Sequence, residues 1–353
     1  MVFKPAPRRR EVAKPMEPII DPAGWLPAEM EMTDEWIYEL SEGEKGELLA
    51  VAEIAEKSGV DILDITQENF TLPLLDKRLS QLRDELLEGR GLFLIRGLPV
   101  LEMSYKAAAI AFWAMGVRFG RLISQNGKGH MIGHVKDFGG NYSEANVRGY
   151  QTADQMRFHS DQGDYVGLMC MNSAKSGGES LVASSVTIYN EMLKHRPDLT
   201  EILINEFYQT KHGEISKGES PYYKLPIFSF QNGYFSARGT GAHALKAFDL
   251  PGVPAATDKQ LEAFAYFQTL ARECAFETPF VPGDIQMLLN HVMVHTRKSF
   301  QDWPEIERKR HLMRLWMVDD DGRSLIPGFR KNFCGIDIQG IPHSAPVNVF
   351  EAA

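Results

Sequence analysis

Apolar residues recur at helical spacing in the first third of the chain. They return every three or four residues over positions 44–57 and again over 75–87, which predicts two amphipathic helices. Glycines follow the second helix, and the apolar run at 92–95 behind them predicts a buried strand. A further helix is expected over 105–119.

From position 120 onward the pattern changes to short apolar runs separated by turn residues. Such runs predict strands, and they lie at 165–171, 180–184, 222–230, 234–238, 285–296 and 310–318. Gln231-Asn232-Gly233 is typical of the turn of a hairpin. Thr257 and Gln260 have the spacing of a capping box, so we expect a last helix to begin at Thr257.

The order of these elements predicts the fold class. Helices dominate the front of the chain and strands the rest, without regular βαβ alternation, which favours a mixed α/β (α+β) fold with a jelly-roll double sheet braced by helices. Residues 1–30 are rich in proline and poor in periodicity, so we interpret them as an N-terminal arm before a single domain at 31–353. The arm either clasps a partner subunit of a homo-oligomer or frays. Residues 124–157 form the longest irregular stretch, and such stretches are often lids over a site.

Composition and charge argue against several classes of protein. The 353-residue chain has a net charge of -9 and no basic stripe, so we expect no nucleic-acid partner. No apolar run reaches the roughly 18 residues of a membrane span, and no apolar segment follows the N-terminal arginines as in a signal peptide. Three cysteines stand far apart, which suits a reducing compartment and argues against a disulfide framework. We therefore expect a cytoplasmic protein.

Phe158-His159-Ser160-Asp161 is the first candidate site. On an extended backbone, residues two apart project to the same side, so His159 and Asp161 could both bind one ion. Two histidines and one carboxylate make the facial triad of non-heme Fe(II) oxygenases. The motif alone is weak, because a chain with ten histidines contains such pairs by chance, and His212-Gly213-Glu214 is a rival. The alternative is a hydrogen-bonded structural pair.

A third ligand would come from a distant strand. His291 and His295 stand four residues apart in the run at 285–296, which would place both on one face of the predicted strand. Either one could instead be a core histidine with a hydrogen-bond partner, the commoner role for a histidine among apolar neighbours.

Arg310 and Arg314 lie in a run that alternates basic and apolar residues, and their spacing would put both on one inward face of a strand. A guanidinium group binds a carboxylate through two hydrogen bonds, so two inward arginines predict buried carboxylate ligands. Salt bridges to acidic residues of the fold are the alternative. Ser176-Gly177-Gly178-Glu179-Ser180 precedes a strand, and its glycines would let the backbone approach a ligand or simply make a tight turn.

Taken together, these segments resemble the TauD/TfdA-like family of 2-oxoglutarate-dependent oxygenases. The resemblance runs from about residue 90 to residue 318 and rests on four motifs in the same order. These motifs are Phe158-His159-Ser160-Asp161, Gly177-Gly178-Glu179-Ser180, Val294-His295-Thr296-Arg297 and Arg310-His311-Leu312-Met313-Arg314-Leu315-Trp316. The resemblance implies a double-stranded β-helix (a jelly roll) and an oxygenase that uses Fe(II), 2-oxoglutarate and O2.

By position, the resemblance also implies the iron ligands. His159 and Asp161 match the first two, and His295 matches the distal one, because it precedes the family's x-Arg and follows Asn290 at the usual interval. Family members often have two asparagines before the distal histidine, and here the first of them is Leu289.

The remaining candidates match positions that hold the co-substrate or the substrate. Arg310 matches the arginine that binds the distal carboxylate of 2-oxoglutarate, Ser180 a hydroxyl that assists it, and Gln155 a polar residue near the co-substrate. Arg314 matches a position that faces the acidic group of the substrate in several members, and Arg238, after the hairpin, is a second candidate for that role.

The chemistry implied couples decarboxylation of 2-oxoglutarate, giving succinate and CO2, to oxidation of a C–H bond in a small molecule. Halogenating relatives have a small residue in place of Asp161, so its presence favours hydroxylation, desaturation or cyclisation. We expect a carboxylate- or amino-acid-type substrate. A non-catalytic cupin-like binding protein would not need both Arg310 and Arg314, and a zinc-dependent hydrolase gives no reason for Arg310 and Ser180.

Overall fold

The structure, a computed structural model, describes residues 3–137, 156–278 and 280–348. The α-helices in those ranges are α1 (Pro27–Glu31), α2 (Glu42–Ser58), α3 (Asp76–Glu88), α4 (Tyr105–Gly116), α5 (Ser185–His195), α6 (Pro197–Ile204), α7 (Ala242–Ala247), α8 (Asp258–Glu273) and α9 (Pro327–Asn332). The strands are β1 (Ile37–Glu39), β2 (Leu92–Arg96), β3 (Arg121–Leu122), β4 (Gly133–Lys136), β5 (Tyr165–Asn172), β6 (Ser176–Gly177), β7 (Ser180–Ser184), β8 (Glu206–Thr210), β9 (Tyr222–Pro226), β10 (Phe228–Gln231), β11 (Tyr234–Ala237), β12 (Ala275–Thr278), β13 (Ile285–Leu289), β14 (Met293–Arg297), β15 (Phe300–Gln301) and β16 (His311–Val318).

Local sequence signals place several of these elements. The side chain of Thr257 accepts a hydrogen bond from Gln260 N and the Gln260 side chain bonds back to Thr257 N, so α8 begins with the predicted capping box. Ser41 and Glu44 cap α2 in the same way. The predicted hairpin forms between β10 and β11, with Gln231 opposite Tyr234.

The larger of the two main sheets has the strand order β1-β2-β13-β5-β16-β3, and β4 pairs with β16. Its central strands are buried along almost their whole length, which explains why they read as continuous apolar runs. Helix α4 covers this sheet at a point where β5 has Gly167. A Cβ atom there would lie 3.2 Å from the Phe112 ring, so the glycine allows the close approach of the helix.

A smaller sheet with the order β12-β7-β14 packs over the same core. One continuous cluster of buried apolar side chains includes Val182 and Val294 of this sheet and Met287 and Leu315 of the larger sheet. Two sheets that share one core, with helices around them, form the expected double-sheet architecture.

Two predicted strands are each divided in the structure. The run at 285–296 becomes β13 in the large sheet and β14 in the small one, with a turn at 290–292 between them. His291 therefore lies in the turn, and the prediction that His291 and His295 share one strand face is wrong. The run at 222–230 divides at Ile227, whose N–H donates to Leu203 O instead of to a strand neighbour.

The segment before α1 lies against the body of its own chain. Trp25 is buried and its indole N–H donates to Arg90 O, and Asp21 forms a buried ion pair with Arg323 at 2.9 Å. Phe3 is also buried. Among the helices of the described ranges, none is long and apolar enough to cross a membrane.

Candidate active site

His159, Asp161 and His295 lie together where the chain at His159 runs antiparallel to β14. His159 N donates to His295 O (3.0 Å) and His295 N donates to His159 O (2.9 Å), which places the imidazole centroids 4.5 Å apart. Asp161 Oδ2 lies 3.5 Å from His295 Nε2. Each residue offers a ligand atom within 4.8 Å of the other two. In the described part of the chain, no other three His, Cys, Asp or Glu side chains meet so closely.

The site holds two neutral imidazoles and one carboxylate. His159 Nδ1 lies 2.9 Å from the carbonyl oxygen of Arg157, so this nitrogen carries the proton and Nε2 keeps its lone pair. Burial lowers the pKa of His159, and burial together with the neighbouring His159 lowers the pKa of His295 to about 3. For Asp161, burial opposes ionisation, but the Arg314 guanidinium favours the carboxylate and the pKa lies below its usual value. These are the protonation states that metal binding requires.

Two atoms of this group, Asp161 Oδ2 and His295 Nδ1, are buried without a hydrogen-bond partner among the described residues. A buried polar atom without a partner costs about 1–3 kcal/mol, so such atoms are uncommon in native proteins. A cation held by the three side chains would give the carboxylate oxygen its missing partner. Two imidazoles and one carboxylate are the donor set of a non-heme iron site, and the residues present fit Fe(II).

Arg314 holds the other oxygen of this carboxylate. Its Nη1 donates to Asp161 Oδ1 (2.9 Å) and its Nε donates to Gln125 Oε1 (2.8 Å), and all three side chains are buried. Gln125 Nε2 donates in turn to Arg314 O (2.7 Å). Of the two roles that the sequence left open for Arg314, the structure shows a salt bridge to an acidic residue of the fold, Asp161. A substrate-binding role for Arg314 stays a prediction. Gln125 was not predicted.

Arg310 lies apart from Arg314. It immediately precedes β16. The pairing of β16 with β5 shifts by one residue between His311 and Leu312. Because of this shift, the regular alternation of side chains between the two faces of the strand does not extend from Arg314 back to Arg310. The Arg310 guanidinium is buried, donates to Gly178 O (3.3 Å) and lies 5.4 Å from the centroid of the Phe300 ring. In the described ranges it forms no ion pair.

The two glycines before β7 are needed where they stand. Gly177 and Gly178 both have positive φ, at 73° and 78°. A Cβ atom on Gly178 would lie 3.1 Å from Arg310 Nε, and one on Gly177 would lie 2.4 Å from Ser299 O. The sequence left two interpretations of these glycines, a tight turn or a close approach of the backbone to a ligand. The positive φ angles fit a tight turn, and the group that comes close to the backbone at Gly178 is the Arg310 side chain.

Ser180 begins β7, two residues beyond Gly178. Its hydroxyl donates to Gln286 Oε1 (3.1 Å), Gln286 Nε2 donates to Thr278 Oγ1 (2.8 Å), and the Thr278 hydroxyl donates to Ser180 O (3.2 Å). All three residues are buried. Gln286 was not predicted, although a glutamine in the apolar run of β13 is a signal that could have found it.

Arg297 lies opposite Ser180. It is buried and lies 4.7 Å from the centroid of the Phe300 ring that Arg310 also approaches. The His-x-Arg motif named this residue without giving it a role. Gln155 lies outside the described residues.

The rival histidines have other surroundings. His291 Nε2 lies 2.7 Å from Asp164 Oδ1, and both side chains are buried away from the iron-ligand group. His212 lies in a turn after β8 with φ at 52°, and Glu214 accepts a hydrogen bond from Gly127 N. Neither His212 nor Glu214 belongs to a three-residue metal group in the described residues.

Comparison with known proteins shows the family. Residues 54–316 match the family described as "Taurine catabolism dioxygenase TauD, TfdA family". The chain belongs to this family. It is 31% identical over 316 residues to FR-33289 synthase of Streptomyces rubellomurinus (strain ATCC 31215), covering 87% of this chain and 92% of the relative. It is 27% identical over 327 residues to the taurine hydroxylase-like protein SAT17 of Stachybotrys chartarum (strain CBS 109288 / IBT 7711), covering 88% and 83%.

A solved structure of similar fold is that of an asparagine oxygenase in complex with Fe(II), 2S,3S-3-hydroxyasparagine and succinate. It has a TM-score of 0.61 at 15% identity, over 80% of this chain and 93% of the other. The predicted jelly-roll core is confirmed. As a member of the TauD, TfdA family, the protein is an Fe(II)- and 2-oxoglutarate-dependent dioxygenase, so the predicted enzyme class and cofactors are confirmed. The cupin-like and zinc-hydrolase alternatives find no support in the family.

Proposed function

We propose that this dioxygenase oxidises an unactivated C–H bond of a small carboxylate- or amino-acid-type molecule, by hydroxylation in the first instance. His159, Asp161 and His295 would hold Fe(II), and Arg310 with Ser180 would hold the far carboxylate of 2-oxoglutarate. The iron, the co-substrate and O2 supply the oxidising chemistry, and the protein contributes binding, orientation and exclusion of water.

The observation that carries this proposal is that two candidate sites, the iron-ligand group and the Arg310 side chain, each contain a buried polar group that lacks a partner among the described residues. The iron-ligand group has a buried carboxylate oxygen without a partner, and the buried Arg310 has no ion pair among the described residues. A metal ion and an organic dianion would satisfy both groups. The names of the relatives also support it, because one solved neighbour carries a hydroxylated amino acid and succinate.

Each protein group has a definable task in this proposal. The Arg157 carbonyl fixes the tautomer of His159, and Arg314 fixes the Asp161 carboxylate. The Arg310 fork can bind both oxygens of a carboxylate, while its burial strengthens that attraction. Asp161 and His295 are buried, which would help to keep bulk water from the reacting C–H bond.

The test is a substrate screen that measures succinate formed from 2-oxoglutarate in the presence of Fe(II), ascorbate and O2. Small carboxylic acids and amino acids should raise succinate formation above the rate without substrate, and mass spectrometry should find a product with one added oxygen atom. A product that has lost two hydrogens would indicate desaturation or cyclisation instead. Oxidation confined to neutral, non-acidic molecules would contradict the proposed substrate class.

Arg310→Lys should weaken 2-oxoglutarate binding strongly and leave iron binding intact. An ammonium group cannot reproduce the two-bond contact of a guanidinium with a carboxylate, and we expect a loss on the order of 2–3 kcal/mol in binding free energy. The measurement is the apparent 2-oxoglutarate requirement, with iron content determined on the same samples. Arg308→Lys is a matched control, because Arg308 is exposed and lies against the Trp303 ring. An unchanged requirement in Arg310→Lys would refute the role of Arg310.

A further inference from the structure

Arg238 follows β11, and its guanidinium group lies next to aromatic side chains. Its guanidinium carbon lies 3.7 Å from the centroid of the Phe333 ring, which comes directly after α9. Tyr223, on β9, meets the edge of the same Phe333 ring at 5.9 Å between centroids. Three separate elements therefore bring a cation, a phenol and an aromatic platform together.

Arg238 lies close to the iron-ligand group. The residue after Arg238 is Gly239, where a Cβ atom would lie 2.8 Å from the Cα atom of His159. Gly239 N also donates to Ser160 Oγ (3.3 Å). A group bound to Arg238 would therefore lie beside the iron site.

The guanidinium group of Arg238 lacks the ion pairs that Arg314, Arg323 and Arg330 have. Its Nη1 is buried without a hydrogen-bond partner, and in the described ranges the side chain forms no ion pair. Asp161 is bound by Arg314, and Asp164 is bound by His291 and Arg330. Burial lowers the pKa of Arg238 to about 10, so it is still a cation at neutral pH. A guanidinium group with a buried nitrogen that has no partner is unfavourable for folding, and such groups are typical of binding sites.

Building on the proposed function, we propose that Arg238 and the Tyr223 hydroxyl bind an oxyanion group of the primary substrate against the Phe333 ring. The substrate class is then a small molecule with a carboxylate, sulfonate or phosphonate at one end and its reacting C–H bond near the iron. Of the two arginines that the sequence named as candidates for the substrate's acidic group, Arg314 and Arg238, this proposal assigns the role to Arg238.

This anion is distinct from 2-oxoglutarate. Arg310 contacts Gly178 and Phe300, whereas Arg238 contacts Phe333 and follows a different strand. One 2-oxoglutarate bound to iron through its keto acid has a single free carboxylate, which Arg310 would bind. A guanidinium fork suits any planar or tetrahedral oxyanion, so the three anion types are separated by experiment.

The experiment uses the enzyme loaded with Fe(II) and 2-oxoglutarate under anaerobic conditions. Titration calorimetry follows binding of β-alanine, taurine and 2-aminoethylphosphonate, which differ in the oxyanion, and of ethanolamine, which lacks one. We expect at least one oxyanion to bind more tightly than ethanolamine. Arg238→Gln should weaken that binding by about tenfold or more, as expected for loss of a charge-assisted contact, and Tyr223→Phe should weaken it less.

The control is Lys224→Gln, which removes a cation from the neighbouring position of β9, where the side chain is exposed and lies 4.4 Å from the Tyr208 ring centroid. It should leave probe binding unchanged. The melting temperature of Arg238→Gln should be equal to or above that of the unaltered protein, because a charged group with a buried, unpartnered nitrogen is removed.

The proposal is wrong if Arg238→Gln binds the oxyanions as tightly as the unaltered protein, if no oxyanion binds better than ethanolamine, or if the variant melts at a lower temperature. Failure of the proposed function would appear differently, as absence of 2-oxoglutarate binding to the Fe(II)-loaded unaltered protein before any probe is added.

Discussion

Replacing His295 with alanine should abolish Fe(II) binding, and with it all 2-oxoglutarate turnover. Three ligands on one face of the ion leave no redundancy, so His159→Ala and Asp161→Ala should have the same effect. The close approach of the three ligand atoms, all within 4.8 Å, is the structural reason to treat them as one site. The measurement is iron per chain after anaerobic reconstitution and removal of unbound metal.

His291→Ala is the sharpest control, because this histidine is only four residues away and is equally buried. Its side chain is bonded to Asp164 at 2.7 Å, so the variant should keep its iron while losing about 1–3 kcal/mol of stability. His212→Ala should also keep its iron. Loss of iron in His291→Ala with retention in His295→Ala would reverse the assignment of the distal ligand.

Elements with local signals could be predicted from the sequence. The Thr257 capping box, the turn at Gln231-Asn232-Gly233 and the strand Ser180–Ser184 depend on residues that are near one another in the chain, and each lies where it was expected. Helices α5 and α6 were not predicted, although the Ser184 side chain caps the first and Pro197 begins the second. Ser184 also belongs to the predicted strand at 180–184, and a single proline such as Pro197 is a short signal for a helix.

The division of β13 from β14 could not be read from the local sequence, because its cause is distant. The Asn290 amide donates to Gln162 O and Gly163 O, and His291 bonds to Asp164. These partners lie more than 120 residues earlier in the chain. Without them, the apolar residues on both sides of Asn290 read as one strand.

In the candidate site, too, some residues could be predicted from local motifs and others could not. Residue types and spacing were sufficient to single out His159, Asp161 and His295 as candidate ligands. They could not identify the partner of Arg314, because Asp161 is 153 residues away and belonged to another motif. Nor could they find Tyr223 or Phe333, because an aromatic residue in an apolar run has no feature that separates a binding surface from the core.

Arg314→Ala should destabilise the metal-free protein by about 3–5 kcal/mol, the cost of removing one partner from a buried charge pair. Both side chains are buried and the contact is direct, with Nη1 2.9 Å from Asp161 Oδ1. The carboxylate would then have neither of its oxygens partnered, since Oδ2 already lacks a hydrogen bond among the described residues.

Bound metal should reduce this effect. A divalent cation neutralises the Asp161 carboxylate, so the loss of Arg314 should cost the metal-loaded protein less than the metal-free protein. By linkage, the affinity of the folded variant for Fe(II) should not fall. Denaturant unfolding of both forms, with and without metal, measures the difference directly.

Gln125→Ala separates the ion pair from its support. It removes the acceptor of Arg314 Nε and the bonds that Gln125 Nε2 donates to Arg314 O and Met131 O, but it leaves the bond between Arg314 and Asp161. We therefore expect a smaller loss of about 1–3 kcal/mol in the metal-free protein. The competing view gives Arg314 to the substrate. It predicts normal stability of the metal-free Arg314→Ala protein together with weaker binding of the acidic substrate, while Arg238→Gln leaves that binding unchanged. That combination would return the anion site to Arg314, whereas a destabilised Arg314→Ala protein and weakened oxyanion binding in Arg238→Gln would assign the two arginines to different tasks.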